Sequence, residues 1–354
     1  MADDRAEKLA ELAADAGVDS LLVAEPVNLR YITGFTGTNG ACLVGRDTRT
    51  FLTDFRYTDR AAAEVPGFDI EIVSGDWLAG LAGFFEGKVG IEDDHLTVRT
   101  ARKLEEAAGD DVELIDCGGR VEALRRVKES GEIDRIAAAA ELTDALYREL
   151  MERGLIDRTE AEIGAFAVSR MREEGAEPSF PPIVASGPNG ASPHAEPGPR
   201  TIGRHELVTI DMGATLDGYC SDCTRTFATG MLDEKAAEIY EVTLAANEAG
   251  LSAVRPGAVA SDVDGAARDL IGEAGYGENF GHGLGHGVGL EVHEGPRLGE
   301  RSDDVLAAGE VVTVEPGIYI SGFTGVRIED LVVVGEEGIA RNLSTISKAL
   351  TYID

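Results

Sequence analysis

The sequence predicts an α/β N-terminal domain, residues 1–125, and an α+β C-terminal domain, residues 126–354, that carries an internal duplication. Three observations predict it. Short apolar strands alternate with helical stretches in the first part of the chain, whereas the second part sets long helices beside pairs of strands. Within that second part ELVTIDMG, Glu206 to Gly213, aligns without a gap onto EVVTVEPG, Glu310 to Gly317. Asp211 then falls on Glu315, and Gly213 on Gly317. A length of 354 residues allows each domain a core of its own.

The elements follow in order. MADDRAEKLAELAADAG is acidic and amphipathic, without the basic start and apolar centre of a signal peptide, and reads as a first helix. SLLVA (Ser20 to Ala24), GACLVG (Gly40 to Gly45), RTFLTD (Arg49 to Asp54), DIEIV (Asp69 to Val73) and KVGIE (Lys88 to Glu92) read as strands. YTDRAAAEV and VRTARKLEEAA read as helices between and after them. This part holds one histidine, His95, and its sequence contains no cluster of metal-ligand type; a structural or substrate-shaping role is expected of it. The join falls near Val121 to Asp134, where a long helix begins with Ile133, Ile136, Ala137 and Ala140 at helical spacing. Thr159 with Glu162, and Ser261 with Asp264, look like capping boxes. Ile239, Val242, Ala246, Ala249 and Ala253 mark a further amphipathic helix, stopped by Pro256-Gly257.

Composition bounds the partners. The chain is 43% hydrophobic, which suits a folded protein, and no apolar run is long enough to span a bilayer. Sixty-five acids against 32 Lys and Arg leave a net charge of −33, so a nucleic acid is a poor partner. The lysines are few: Lys8, Lys88, Lys103, Lys128, Lys235 and Lys348. An acidic, lysine-poor surface suits a salty cytoplasm in which repulsion is screened, and a halophilic source is expected, with an acidic mesophilic protein as the alternative. Four cysteines (Cys42, Cys117, Cys220, Cys223) without an export signal agree with a reducing cytoplasm. Cys220 and Cys223 lie in a strand pattern with no second pair, and read as packing residues.

The acids raise the chemical question. A carboxylate at the end of an apolar strand is costly to bury unless something compensates it. After Asp211, the Asp217-Gly218 pair signals a hairpin turn. That turn sets Asp211 opposite Thr224 with Asp222 as its diagonal neighbour; a turn at Leu216-Asp217 sets Asp211 opposite Asp222 itself. Either register keeps both acids on one face. Glu329 follows Glu315 by fourteen residues, an even offset that needs a three-residue loop or a bulge, and Gly322 and Gly325 suit either. Four carboxylates brought together would repel one another and take up protons, and two divalent cations would neutralise them. One acid at a strand end is ordinarily just solvated; two matched pairs are not so easily dismissed. FGHGLGHGVGLEVHE, Phe280 to Glu294, adds three of the six histidines. Its alternating glycines disfavour a helical zinc motif and let the backbone pack closely while the histidines project into a cleft.

DMGATLDGYCSDCTRTF, GHGLGHGVGLEVHE, EPGIY and RIED together resemble the pita-bread metallopeptidases: aminopeptidase P, prolidase and methionine aminopeptidase. NLRYITGFTGTNGACLV and FLTDFRY are similar to the extra N-terminal domain of the first two. The resemblance covers most of the chain and implies five metal ligands, Asp211, Asp222, His286, Glu315 and Glu329. Asp222 and Glu329 would bridge two metals, with Asp211 on one and His286 and Glu315 on the other. It further implies His194 near the scissile bond, His293 and Glu315 in catalysis, His282 in the proline pocket, and Tyr319 and Arg327 in support. Hard oxygen donors with one imidazole suit two divalent ions, manganese first, with cobalt, iron or zinc as alternatives. The expected activity is that of an Xaa-Pro aminopeptidase, acting on a peptide with proline second. Prolidase and a catalytically silent peptide-binding protein stand as alternatives. A homodimer is expected by the same resemblance.

Overall fold

The computed structural model describes residues 2–354, which form two compact units, one ending at Arg125 and one beginning at Arg126. The first is a mixed sheet of six strands: β1 (Ser20–Val23), β2 (Gly40–Gly45), β3 (Arg49–Thr53), β4 (Asp69–Ile72), β5 (Lys88–Ile91) and β6 (Glu113–Asp116). Their order across the sheet is β4-β3-β2-β1-β5-β6, antiparallel through β1, β2 and β3 and parallel outward on both sides. Helices Pro26–Thr33, Thr58–Glu64, Trp77–Ala82 and Val98–Ala108 lie between the strands, with Ala2–Asp15 before β1 and Arg120–Arg126 after β6. Apolar periodicity does not signal Pro26–Thr33, which is too short for a periodic face. Its ends define it instead: Glu25 accepts hydrogen bonds from the Val27 and Asn28 amides, proline opens it, and Gly34 closes it at φ 83°.

His95 departs from expectation. The helix Arg120–Arg126 brings Glu122 to it, with His95 Nε2 2.8 Å from Glu122 Oε1 and Asp94 adjacent. A small acidic and histidine group therefore exists here. No sequence motif announces it, because His95 and Glu122 lie 27 residues apart and meet only through the fold.

The second unit has two helix pairs, Ser130–Arg153 with Glu160–Glu173 and Glu234–Ala253 with Ala260–Glu273. The duplication thus reaches beyond the strands, since the second helix of each pair has 14 residues. Thr159 and Glu162 form the expected capping box. Ser261 and Asp264 do not: the helix starts at Ala260, and Asp264 turns inward to pair with Arg268 and to accept from the Leu284 amide.

The strands of this unit are β7 (Glu177–Pro178), β8 (Ile183–Ser186), β9 (Leu207–Met212), β10 (Ala214–Leu216), β11 (Tyr219–Cys220), β12 (Cys223–Ala228), β13 (Gly285–Gly287), β14 (Glu294–Leu298), β15 (Val311–Val314), β16 (Gly317–Ile320), β17 (Thr324–Arg327), β18 (Asp330–Val334) and β19 (Ile339–Asn342). Two sheets, β12-β9-β8 and β14-β13-β15-β18-β19, carry the strands that end in acids and the histidine stretch. Apolar residues of both pack under the helix pairs, with Val312, Val314, Val332 and Val334 in one core and Val208, Ile210 and Met212 in another. Cys220 and Cys223 are buried free thiols, as their strand pattern suggests. No helix among the described residues is long and apolar enough to cross a membrane.

Candidate metal centre

Turn chemistry sets the first hairpin. Asp217 (φ 49°) and Gly218 (φ 84°) form its tip, with Leu216 paired to Tyr219. Asp211 consequently sits opposite Thr224, the first of the two registers, and Asp222 lies diagonally from it. In the second hairpin a three-residue loop separates Ile320 from Thr324. The β15–β18 and β16–β17 ladders share one register, which carries Glu315 across from Glu329. The Glu329 amide donates to the Thr224 carbonyl at 3.2 Å and joins the hairpins at their acids.

The histidine stretch is extended, not helical. β13 pairs with β14 on one side and β15 on the other, and an added Cβ on Gly287 would lie 2.0 Å from the Gly295 carbonyl oxygen. That close approach is what the glycine alternation permits. His286 Nδ1 lies 3.1 Å from the Gly287 carbonyl and donates there, which turns Nε2 toward Glu315 (3.2 Å) and Asp222 (3.6 Å). His293 meets His286 edge-on with ring centres 4.4 Å apart.

Asp211, Asp222 and Glu329 offer oxygens within 4.8 Å of one another, and Asp222, His286 and His293 offer a second such group. Asp222 belongs to both. Asp211, Asp222, Glu329 and His286 are buried, at most 9% exposed. Arg327 is the guanidinium that answers them: it donates to Asp211 Oδ2 at 2.6 Å, to Thr224 Oγ1 at 3.0 Å and to the Tyr319 hydroxyl at 2.9 Å. Thr224 in turn donates to Glu329 Oε2 at 2.8 Å. Each of those two acids has its other oxygen, Asp211 Oδ1 and Glu329 Oε1, buried with no hydrogen-bond partner. Such orphaned acceptors are expensive unless a cation meets them. With four carboxylates and one imidazole, these residues fit two divalent cations.

The electrostatics agree. Burial pushes the Asp222 and Glu329 carboxyls well above their ordinary range, and the neighbouring carboxylates push in the same direction. Burial raises Asp211 as well, although Arg327 works against it. Glu315 is buried too, but His286 overrides burial and lowers it to about 2. Desolvation favours neutral His282 and His293.

All ten residues singled out from the sequence converge. Asp211, Asp222, His194, His282, His286, His293, Glu315 and Arg327 line one cleft of about 740 Å³, with Glu329 and Tyr319 directly behind it. Tyr319 receives from Arg327 and donates to His282 Nε2 at 2.9 Å, since His282 Nδ1 donates to the Gly283 carbonyl. Pro181, Pro182, Pro193 and Pro197 give the cleft an apolar wall.

Two contributors escape a reading of the sequence. Buried Glu160 accepts from the Ser186 amide and hydroxyl, from Asn189 and from the Gly198 amide, so it pins both ends of the loop that carries His194. It is hidden between the two residues of a capping box. Arg297 also lines the cleft, directly across the β13–β14 ladder from His286, and its guanidinium takes no ion pair among the described residues. The histidine motif ends three residues before it, and only the strand register reveals that it shares the face of His286.

Residues 134–336 match the model of metallopeptidase family M24, and residues 5–127 that of the creatinase/prolidase N-terminal domain. The chain belongs to metallopeptidase family M24. Among the M24 relatives, the Xaa-Pro dipeptidase of Pyrococcus furiosus is 34% identical over 97% of this chain and 98% of its own. The solved structure of an Xaa-Pro dipeptidase from Bacillus anthracis is 38% identical, with TM-score 0.96 and full coverage of both chains. That of an X-Pro aminopeptidase from Thermotoga maritima is 35% identical over 99% of this chain and 100% of that one, with TM-score 0.91.

Proposed function

We propose that this M24 peptidase is an Xaa-Pro dipeptidase, a prolidase, that works with two divalent ions, manganese foremost, in a concentrated salt medium. The sequence alone places aminopeptidase P first. Arg297 supports the reverse order: it is a cation without an ion pair in the cleft, suited to the free carboxylate that a dipeptide has and a longer peptide lacks at proline. The relatives named Xaa-Pro dipeptidase point the same way.

Asp211, Asp222, His286, Glu315 and Glu329 would hold the ions. When bound, the ions supply Lewis-acid polarisation of the scissile carbonyl and acidify the attacking water. The chain's own groups do the rest. Glu315 Oε1 faces His286 and Thr313, which leaves Oε2 to take the proton of the water and pass it to the departing proline nitrogen. That nitrogen belongs to a tertiary amide, and it leaves as the C–N bond breaks only if it is protonated. His293 and His194 donate to the oxyanion that forms. His282, fixed by Tyr319, faces the proline ring, and Arg297 binds its carboxylate.

The test uses purified protein with manganese in molar potassium chloride, a chelator control, and Ala-Pro and Ala-Pro-Ala in parallel. Ala-Pro should be hydrolysed and the tripeptide spared. Arg297→Met should raise KM for Ala-Pro about tenfold or more, the value of a lost charged hydrogen bond, and leave the amide of Ala-Pro unaffected. Equal cleavage of the tripeptide would return the assignment to an aminopeptidase. Cleavage of neither substrate, with cobalt and iron(II) also tried, would leave a peptide-binding role. A homodimer is expected on the resemblance, and mass measurement in the same salt tests it.

A further inference from the structure

Each acid-bearing hairpin is bridged from strand to strand by one buried polar atom of the first helix of the corresponding pair. Tyr147 lies on Ser130–Arg153 and Asn247 on Glu234–Ala253, each six residues before the end of its helix. The Tyr147 hydroxyl is 2.8 Å from the Ile210 carbonyl and 2.7 Å from the Cys223 carbonyl. Ile210 immediately precedes Asp211, and Cys223 immediately follows Asp222. Asn247 Nδ2 is 2.8 Å from the Val314 carbonyl and 3.2 Å from the Ile328 carbonyl, the residues immediately before Glu315 and Glu329. Both side chains are fully buried.

We propose that Tyr147 and Asn247 are duplicated positioning residues of the metal centre, each holding two acid-bearing strands together through a single atom. A single oxygen or nitrogen in contact with two carbonyls limits how far apart the two backbones can lie next to the acids. The carboxylate oxygens of each hairpin are thereby kept at the separation that two ions require. The same position in both helix pairs performs the same task with different chemistry. The amide of Asn247 has two protons for its two carbonyls, whereas the Tyr147 hydroxyl has one proton to share between two. Asn247 also accepts from Lys348 Nζ at 2.7 Å, and Lys348 pairs with Asp330, next to Glu329. Its amide is therefore locked in the orientation that aims both protons at the strands. The Asn247 contact is the stiffer of the two.

This inference rests on the two-ion reading of the site, and the experiment separates the two. Tyr147→Phe removes one oxygen at constant shape. Asn247→Asp keeps volume and the Lys348 partner but replaces the two-proton donor by an acceptor facing two carbonyls. Manganese titrations of chelator-stripped protein give the dissociation constants of both ions, and electron paramagnetic resonance reports the spin coupling of an adjacent pair. In both variants the weaker manganese constant should rise about tenfold to a hundredfold, as for other residues that orient metal ligands, with the larger rise for Asn247→Asp. The coupled signal should shrink or change shape while thermal unfolding stays cooperative. Wild-type constants and wild-type coupling in both folded variants would overturn the assignment. Absence of manganese uptake by the wild type would instead overturn the metal centre itself. Should Asn247→Asp fail to fold, Tyr147→Phe, the smaller change, decides alone.

Discussion

At the scale of single residues the proposed metal centre is a competition between protons and cations. Asp222 and Glu329 have carboxyls raised by burial and by like-charged neighbours, so without metal they hold protons at pH values where ordinary carboxylates are ionised. Cations must displace those protons. Manganese affinity should therefore fall as pH falls through the raised pKa values and level off above them. Binding should release protons, visible as a calorimetric enthalpy that depends on the ionisation enthalpy of the buffer. The stability effect has the matching sign. An acid whose folded pKa is raised favours the folded state at low pH, and that contribution is lost as pH rises through the folded pKa. The gain in melting temperature from manganese over chelator should thus grow with pH in that window. Glu315, lowered to about 2, stays ionised across it and contributes nothing to the slope. Equal enthalpies in phosphate and Tris buffers would refute proton release.

At the scale of elements, close backbone approach decides what can be substituted. Gly287 stands where β13 meets β14, and a methyl group there would meet the Gly295 carbonyl at 2.0 Å. The obstacle is backbone, so the strand itself must move. Gly287→Ala should cost about 1–3 kcal/mol, typical of overpacking, and reduce turnover more steeply than stability because His286 and His293 flank the shifted pair. Unfolding and Ala-Pro turnover measured on one preparation test this; unchanged turnover would refute it. Much of this architecture is legible in the sequence. The matched strands, the Asp217-Gly218 turn and the glycine alternation each follow from local rules, and the Asp211–Thr224 register follows from the turn. Glu160, Arg297, Tyr147 and Asn247 do not. Glu160, Tyr147 and Asn247 each act through partners distant in the chain, and Arg297 joins the site only through the β13–β14 register; no local period or spacing encodes such contacts. His95 and Glu122 are invisible for the same reason. The capping box expected of Ser261 and Asp264 errs in the other direction: a local pattern is present, but Arg268 and the Leu284 amide offer Asp264 better partners in the core.

At the scale of the whole molecule, the same charge acts on stability and on the metal site with opposite consequences. A net charge of −33, left after all 32 lysines and arginines are counted, repels itself in dilute buffer. Added salt shortens the screening length from about 10 Å at 0.1 M to about 3 Å at 1 M, so repulsion between surface acids should fade over that range. Stability of the chelator-treated protein should then rise with potassium chloride and flatten near 1 M. Manganese affinity should move the other way. The field of the acidic chain draws divalent cations toward the cleft at low salt, and screening removes that attraction while potassium competes for the surface. A salt series monitored by thermal unfolding and by manganese titration measures both. Rising stability with falling affinity is the outcome expected from net charge. Unfolding that is flat between about 0.1 M and 2 M salt would show that the acids are held apart well enough without screening, and the proposed salt adaptation would fall with it.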